Sequence, residues 1–177
     1  MDRHCGKPVS PRLRRVFEDA VFSICDDGDA VYFSIGQSAP ALDRLLRRYR
    51  AATLAAVTAH NPMGRTQSAL MNRAADARLK SAIHRHRPPP LAPPIRYYGL
   101  DPTGVWPQEP GYLICDMPLP QALDLAWDFG QAAILWIQRD HPVRIGWQPC
   151  TRWRSRSPAL RCPQNAIGAA TDRGRPN

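Results

Sequence analysis

The sequence lacks any long apolar stretch. Its longest uninterrupted apolar run, at residues 132–137, is six residues long, far short of the ~20 that a membrane-spanning helix needs. The basic N-terminal residues are not followed by an apolar segment, so we expect no secretory signal peptide. The sequence therefore predicts no membrane partner and a cytoplasmic location.

Motifs for metal ions, cofactors and covalent catalysis are also missing. The five cysteines are odd in number and form no C-x-x-C pair, which argues against a zinc knuckle and a complete disulfide framework. His60, His84 and His86 lack the spacing of a metal site, and no glycine-rich phosphate loop or nucleophile elbow occurs. We therefore expect no metal and no cofactor. Cys25 and Cys115 lie in strand-like runs and are expected to be small buried side chains in a reducing compartment.

Positive charge is abundant but lies at the two ends of the chain. The net charge is +9, yet residues 1–15 carry five Lys or Arg against one Asp, and residues 150–177 carry six Arg against one Asp. Residues 16–149 are neutral. A neutral domain releases few phosphate counterions, so we expect the core to bind nucleic acid weakly. Nucleic-acid binding through the arginine-rich termini remains an alternative.

The length and composition fit one globular domain. With 177 residues and 44% apolar residues, the chain is long enough to bury a core. We predict a basic N-terminal arm over residues 1–16, an α+β domain over residues 17–147 and a disordered Arg/Pro-rich tail over residues 148–177. The proline-rich residues 86–94 are expected to form an extended connector. The sequence does not indicate an oligomeric state.

The hydrophobic periodicity predicts seven strands and three main helices. A short helical segment comes first, at residues 13–19. The predicted elements that follow are a hairpin over 20–25 and 30–35, a helix with Ser38 as its N-cap, a strand over 54–59, a helix over 66–86, strands over 95–98 and 112–115, a helix from 119, and strands over 132–137 and 143–147. We expect a mixed or antiparallel sheet with helices mainly on one face.

The helix predicted over residues 66–86 carries polar groups close to its inward side. Its buried stripe is predicted to contain Met71, Ala75, Leu79 and Ala82. Ser68 points the same way, Asn72 lies at the edge of the stripe and Arg65 lies a little further round. Inward polar groups are costly unless they are hydrogen-bonded, so this helix start is a candidate binding site.

Three motifs carry a resemblance to a known family. They are TAHNPMGRTQSALMN at residues 58–72, GLDPTGVWPQEP at 99–110 and FGQAAILW at 129–136. In this order they resemble the bacterial family catalogued as domain of unknown function 3293, over roughly residues 17–147. The resemblance implies a compact α+β domain and names no activity. The family typically has Asn where this chain has Ala132.

The candidate site collects polar residues from strand ends, loops and helix starts. The candidate ligand-binding residues are Asn61, Arg65, Ser68, Asn72, Asp101, Trp106 and Gln131. Glu109 is the candidate acid or base, because a carboxyl group desolvated beside Trp106 and several prolines has a raised pKa. Residues 58–72 and 99–111 are expected to lie against each other, with Asn72 and Glu109 facing a shared space. The alternative is structural: these groups cap turns and helix ends, and Trp106 fills the core.

These observations favour a domain that binds a small polar or anionic molecule, with acid/base catalysis on that molecule as an extension. The first alternative is a non-catalytic protein-interaction module. The second is the nucleic-acid interface of the termini. Whether the protein is an enzyme does not follow from the sequence.

Overall fold

The computed structural model describes residues 10–26, 28–86, 90 and 92–148 of the chain. Its elements are, in chain order, α1 (Pro11–Glu18), β1 (Val21–Asp26), β2 (Asp29–Ser34), α2 (Pro40–Arg48), β3 (Thr53–Thr58), a 3-10 turn (Pro62–Gly64), α3 (Ala69–Arg85), β4 (Ile95–Leu100), β5 (Glu109–Cys115), α4 (Leu119–Asp128), β6 (Ala133–Gln138) and β7 (Arg144–Trp147). This succession of helices and strands confirms the predicted α+β class.

The seven strands form one sheet in the order β2-β1-β4-β5-β3-β6-β7. Every neighbouring pair is antiparallel. Of the mixed and antiparallel sheets that the sequence allowed, the structure therefore has the antiparallel one. The central strand β3 is buried on both faces, as its continuous apolar sequence indicates. Because the strands alternate in direction, β3 and β4 end at the same edge of the sheet at which β1, β5 and β6 begin.

Two apolar layers cover the sheet. On one face, Leu42, Leu45 and Leu46 of α2 pack over Leu54 and its neighbours. On the other face, α3 and α4, the two longer helices, pack over Ala55, Val57 and their neighbours. Successive β3 side chains alternate between the layers because strand side chains point to opposite faces.

Helix α3 begins later than predicted, and its buried stripe is shifted. Ser68 is the N-cap, its hydroxyl accepting from the Met71 N–H, so the helix starts at Ala69 rather than at residue 66. The buried residues are Asn72, Ala75, Leu79 and Ile83. The prediction for Met71 is wrong, since its side chain is 56% exposed. The predicted stripe was set by apolar residues alone, whereas the helix buries an amide in its first turns.

Three smaller differences concern the first half of the chain. Cys25 is exposed rather than buried, whereas Cys115 is buried as predicted. The N-cap of α2 is Ala39 rather than Ser38, with no side-chain cap. Residues 11–16, which the sequence placed in the N-terminal arm, form most of α1. The predicted tail, apart from Gln148, and part of the proline-rich connector lie outside the described residues.

Helix α1 packs on the sheet through a few side chains. The ring of Phe17 meets that of Trp147 edge to face, with 5.5 Å between centroids. The Arg14 guanidinium lies 5.1 Å from the centre of the same indole ring. No helix in the described part of the chain is long and apolar enough to cross a membrane.

Gly111 allows β5 to lie beneath an aromatic ring of β4. Gly111 and Tyr97 are cross-strand partners. A Cβ atom at Gly111 would overlap Cε1 of the Tyr97 ring and would lie 2.6 Å from the Val57 carbonyl oxygen. Any side chain at this position therefore pushes against backbone of β3 as well as against a buried ring.

We predict that Gly111→Ala lowers the free energy of unfolding by more than about 2 kcal/mol, because overpacking a buried site has costs of this size. Gly99→Ala is the matched control in the neighbouring strand, where the nearest atom to an added Cβ is 3.6 Å away. It should change the stability by less than about 1 kcal/mol. Urea unfolding measures both, and equal stability of the two variants would contradict the packing argument.

Candidate functional site

The turn after β3 has an unusual backbone. Asn61 is in the left-handed region, with φ 46° and ψ 57°, and Met63 also has a positive φ of 59°. Asn adopts this conformation more readily than other non-glycine residues. Pro62 follows directly and disfavours the right-handed helical region for Asn61. The chain therefore reverses sharply at the sheet edge where β3 ends.

Asn72 holds this turn from α3. Its Oδ1 accepts from the Asn61 backbone N–H at 3.0 Å, and its Nδ2 donates to Oδ1 of Asn61 at 2.9 Å. The Gln67 backbone N–H also donates to Oδ1 of Asn61. Both asparagines are buried and lose their hydrogen bonds to water on folding. The hydrogen bonds between them replace those lost bonds.

The same Asn61 side chain fixes Glu109 at the start of β5. Nδ2 of Asn61 donates to Oε1 of Glu109 at 2.7 Å, and Nε1 of Trp106 donates to the same oxygen at 2.8 Å. Both donors are neutral. Among the described residues, no donor reaches Oε2 and no cation pairs with the carboxylate. The group is therefore oriented through one oxygen, and the other is available.

The environment of Glu109 shifts the pKa of its carboxyl group upward. Burial raises the pKa of the Glu109 carboxyl, and the hydrogen bonds from Asn61 and Trp106 lower it by less, so the pKa is above its ordinary value. Desolvation penalises the ionised carboxylate because no positive charge compensates it. A carboxyl group with a raised pKa can both donate and accept a proton closer to neutral pH than an ordinary glutamate can.

Gln131 and Gly130 hold the turn from the other side. Nε2 of Gln131 donates to the His60 carbonyl oxygen at 2.8 Å. The Met63 N–H donates to the Gly130 carbonyl at 2.8 Å. A Cβ atom on Gly130 would lie 2.8 Å from Cβ of Pro62, so the segment after α4 is in close contact with the turn.

A cavity of about 70 Å³ lies at this edge of the sheet. Its polar lining comes from Asn61, Asp101, Trp106, Glu109 and Gln131, all five of which the sequence indicated as site residues. Its apolar lining comes from α1, from the start of β1, from the end of β4 and from Ala132. The cavity thus joins a polar patch to an apolar wall.

Asp101 has a structural task in the loop between β4 and β5. Its carboxylate accepts from the N–H and hydroxyl of Thr103 and from the Trp106 N–H. The Thr103 hydroxyl and then the two backbone donors hold the pKa of Asp101 below its ordinary value. This closed loop places the Trp106 indole against Glu109.

The remaining predicted residues do not line the cavity. Asn72 lies behind Asn61, bonded to it, rather than facing a shared space with Glu109. Ser68 is exposed and caps α3. Arg65 is exposed as well. The two segments expected to meet do so through the bond between Asn61 and Glu109.

The sequence prediction did not include the apolar wall of the cavity. Leu13, Val16, Phe17 and Ala20 line it, together with Phe22 of β1. The first four follow the three-and-four spacing of an amphipathic helix face. That spacing was a usable signal, but the basic residues around it suggested a solvated arm.

A second polar cluster lies on the α3 side of the sheet. Asp76 makes a two-pronged salt bridge with Arg96, at 2.7 and 3.0 Å, and accepts from the Tyr112 hydroxyl at 3.1 Å. Hydrogen bonds and the charge of Arg96 together outweigh burial and lower the pKa of Asp76. Burial lowers the pKa of nearby His60. The cluster attaches α3 to β4 and β5.

Within the described ranges no group of three His, Cys, Asp or Glu side chains is placed to hold a metal ion.

Comparison with known families and proteins adds one finding. The family model described as Protein of unknown function (DUF3293) matches residues 57–134, which confirms the resemblance carried by the three motifs. The matched segment contains Asn61, Asn72, Glu109 and Gln131, whereas α1 precedes it. No curated protein and no solved structure matches the chain.

We predict that Asn72→Ala lowers the free energy of unfolding by about 1–3 kcal/mol, because it leaves buried groups of Asn61 without a partner. Met71→Ala, one position earlier on an exposed part of the same helix, should cost less than about 1 kcal/mol. Thermal or urea unfolding tests both. A fully stable Asn72→Ala would mean that the turn holds itself without α3.

The raised pKa of Glu109 also predicts a pH dependence. A carboxyl whose pKa is higher in the folded than in the unfolded state stabilises the fold below its unfolded pKa, and that contribution is lost as the pH rises through the folded pKa. Glu109→Gln stays neutral throughout. Relative to wild type, the variant should therefore gain stability as the pH rises above the ordinary glutamate pKa of about 4.3 and through the higher pKa of the folded state.

Melting temperatures across this range measure the difference. Glu18→Gln, which removes one exposed carboxylate of α1 outside the cavity, is the matched control for the change in net charge. A Glu109→Gln difference that is constant with pH would contradict the assigned burial of this group.

Proposed function

We propose that the cavity binds a small polar molecule through Glu109 and that Glu109 exchanges a proton with it. The observation that carries this proposal is the hydrogen bonding of the two oxygens of the Glu109 carboxylate. One oxygen is held by two neutral donors, while the other has no donor among the described residues. A group held in this way is oriented for an incoming hydrogen-bond donor.

The energetic cost of Glu109 supports a functional role. A desolvated carboxylate without a cation destabilises the fold, whereas an amide or an apolar residue would avoid that cost. Unfavourable buried ionisable groups occur preferentially at functional sites. The surrounding hydrogen bonds of Asn61, Asn72 and Gln131 keep the group in place despite the cost.

The raised pKa supports acid/base chemistry. Proton transfer is most efficient when the pKa of the catalytic group lies near the working pH. Burial moves the pKa of Glu109 upward, toward neutrality. The two neutral donors on Oε1 would also remain in place in both protonation states, so Oε2 is the atom that gains and loses the proton.

The charge of the cavity lining limits the classes of ligand that the cavity can bind. Among the described residues, two carboxylates, Asp101 and Glu109, line the cavity, and no Lys, Arg or His does so. Anions would be repelled in a site of low polarity. We therefore favour a neutral or cationic polar molecule over the anionic one that the sequence also allowed.

A non-catalytic interaction module is the second candidate. Leu70 and Met71 are 71% and 56% exposed at the start of α3, and exposed apolar side chains occur at protein–protein contacts. Nucleic-acid binding by the termini concerns residues 1–9 and 149–177, which lie outside the described part of the chain, together with the basic residues of α1. The free thiols of Cys25 and Cys115 fit a reducing compartment such as the cytoplasm.

A thermal-shift screen of a metabolite library against the full chain tests the proposal, because a ligand of the folded state raises the apparent melting temperature. A hit that stabilises wild type but not Leu13→Lys, which places a charged chain in the cavity, supports the site. If every hit stabilises both proteins equally, the ligand binds elsewhere and the proposed site is wrong.

For a hit that is turned over, we predict that Glu109→Gln lowers kcat by about 10²-fold or more, the usual effect of removing a positioned proton-transfer group. Gln keeps an oxygen for the donors of Asn61 and Trp106, so KM should change little for a neutral molecule, whereas it should rise for a cationic one because the charge partner is lost. Glu18→Gln is the matched control, with kcat at the wild-type value. Equal kcat for Glu109→Gln and wild type would exclude the acid/base role.

A further inference from the structure

The cavity continues into a larger groove at the surface. The groove has a volume of about 790 Å³ and shares five lining residues with the cavity: Leu13, Val16, Gly64, Asp101 and Trp106. Small-molecule pockets commonly measure about 300–1,000 Å³. The cavity of about 70 Å³ holds only a head group, whereas the groove has room for the rest of a ligand.

The combined lining is acidic. Glu109 and Asp101 line the cavity, Asp101 and Asp19 line the groove, and Arg15 is the basic residue that the groove lining contains. In the part of the lining that the structure describes, three carboxylates against one guanidinium favour a cationic ligand. The aromatic residues Phe17, Phe22 and Trp106 also line the cavity, and aromatic side chains are compatible with a cation.

The hydrogen bonding of Glu109 distinguishes between cations. A guanidinium prefers to bind both oxygens of a carboxylate side by side. Oε1 already accepts from Asn61 and Trp106, so Oε2 is the oxygen on offer. A single oxygen suits an ammonium group, which acts as a compact point charge with separate donors.

The outer groove is suited to an apolar body. Val105, Met63 and Val16 line it and are 81%, 41% and 37% exposed. Contiguous exposed apolar side chains beside a cleft are typical of a binding surface. Covering them with an alkyl or aryl chain would remove apolar area from water on both partners.

We infer that the site takes an organic cation with a primary ammonium head and an apolar body, the ammonium on Oε2 of Glu109 and the body in the groove. This inference rests on the proposed binding role of Glu109. It adds the substrate class, an elongated primary amine, and a second subsite formed by α1 and the loop between β4 and β5.

Calorimetric titration of the full chain tests this directly. The probes are methylammonium, butylammonium and hexylammonium, with hexanoate and hexanol as probes of equal chain length. Hexylammonium should bind tighter than butylammonium by about threefold to fourfold per added CH₂, the effect of burying a methylene. Hexanoate and hexanol should bind at least about tenfold more weakly than hexylammonium.

Two variants test separately the contacts of the ammonium head and those of the apolar body of the ligand. Glu109→Gln should weaken hexylammonium by about tenfold or more, since it removes the charge partner. Val105→Ser should weaken hexylammonium by about threefold while leaving methylammonium unchanged. Tyr32→Ser is the control for a lost exposed hydrophobic side chain, because Tyr32 is 63% exposed on β2 and lines neither space. It should leave all affinities unchanged.

Each contrary result has a separate meaning. Hexanoate binding as tightly as hexylammonium, or an unchanged hexylammonium affinity in Glu109→Gln, would overturn the ammonium assignment. In that case a library hit that stabilises wild type but not Leu13→Lys would still support the cavity as a binding site. An affinity independent of chain length would overturn the groove subsite. A concentration-dependent dimer that Val105→Ser dissociates would make the groove an interface between copies and would also overturn the inference. No binding by any probe or library compound would overturn both proposals.

Discussion

The hydrogen bonds of Asn61 are the constraint on which the rest of the site depends. Its backbone adopts a left-handed conformation between a buried strand and a proline, and its amide bonds to Asn72, Gln67 and Glu109. One side chain thus connects the sheet edge, helix α3 and the carboxylate. Because these hydrogen bonds are buried or partly buried, changing one residue leaves groups of the others unsatisfied. This explains why a short polar residue, able to tolerate a positive φ, occupies the position.

The fold supports this arrangement by surrounding it with rigid elements. Strand β3 is buried on both faces, the Asp76–Arg96 salt bridge ties α3 to β4, and the segment around Gly130 packs on Pro62. The turn is therefore attached to three separate elements. Such attachment offsets the cost of a strained backbone and of a desolvated carboxylate, since neither can relax without disturbing the packing around it.

Much of the architecture followed from the sequence, and the failures have identifiable causes. The alternating and continuous apolar runs predicted the seven strands, including the hairpin of β1 and β2. The predicted buried stripe of α3 was right at Ala75 and Leu79 and wrong at Met71. The buried position in the first turns is held by a polar residue, Asn72, which hydrophobicity places only at the edge of the stripe. Glu109, Asn61 and Gln131 were indicated by their placement at strand ends, but their convergence depends on long-range pairing between β3, β5 and β6. The contribution of α1 was missed because arginines separate its apolar residues.

The cavity has two kinds of wall, and they differ in how freely they can change. Asn61 and Glu109 are bonded to one another and to neighbouring elements, whereas Leu13 meets Gly64 only by contact, at the end of a helix that few side chains attach to the sheet. Substitutions in α1 or in the exposed loop around Val105 can reshape the space without breaking the polar group at its base. The size and shape of the space are thus set by contacts that single substitutions can alter, whereas the hydrogen-bonded group of Asn61, Asn72 and Glu109 can change only as a unit.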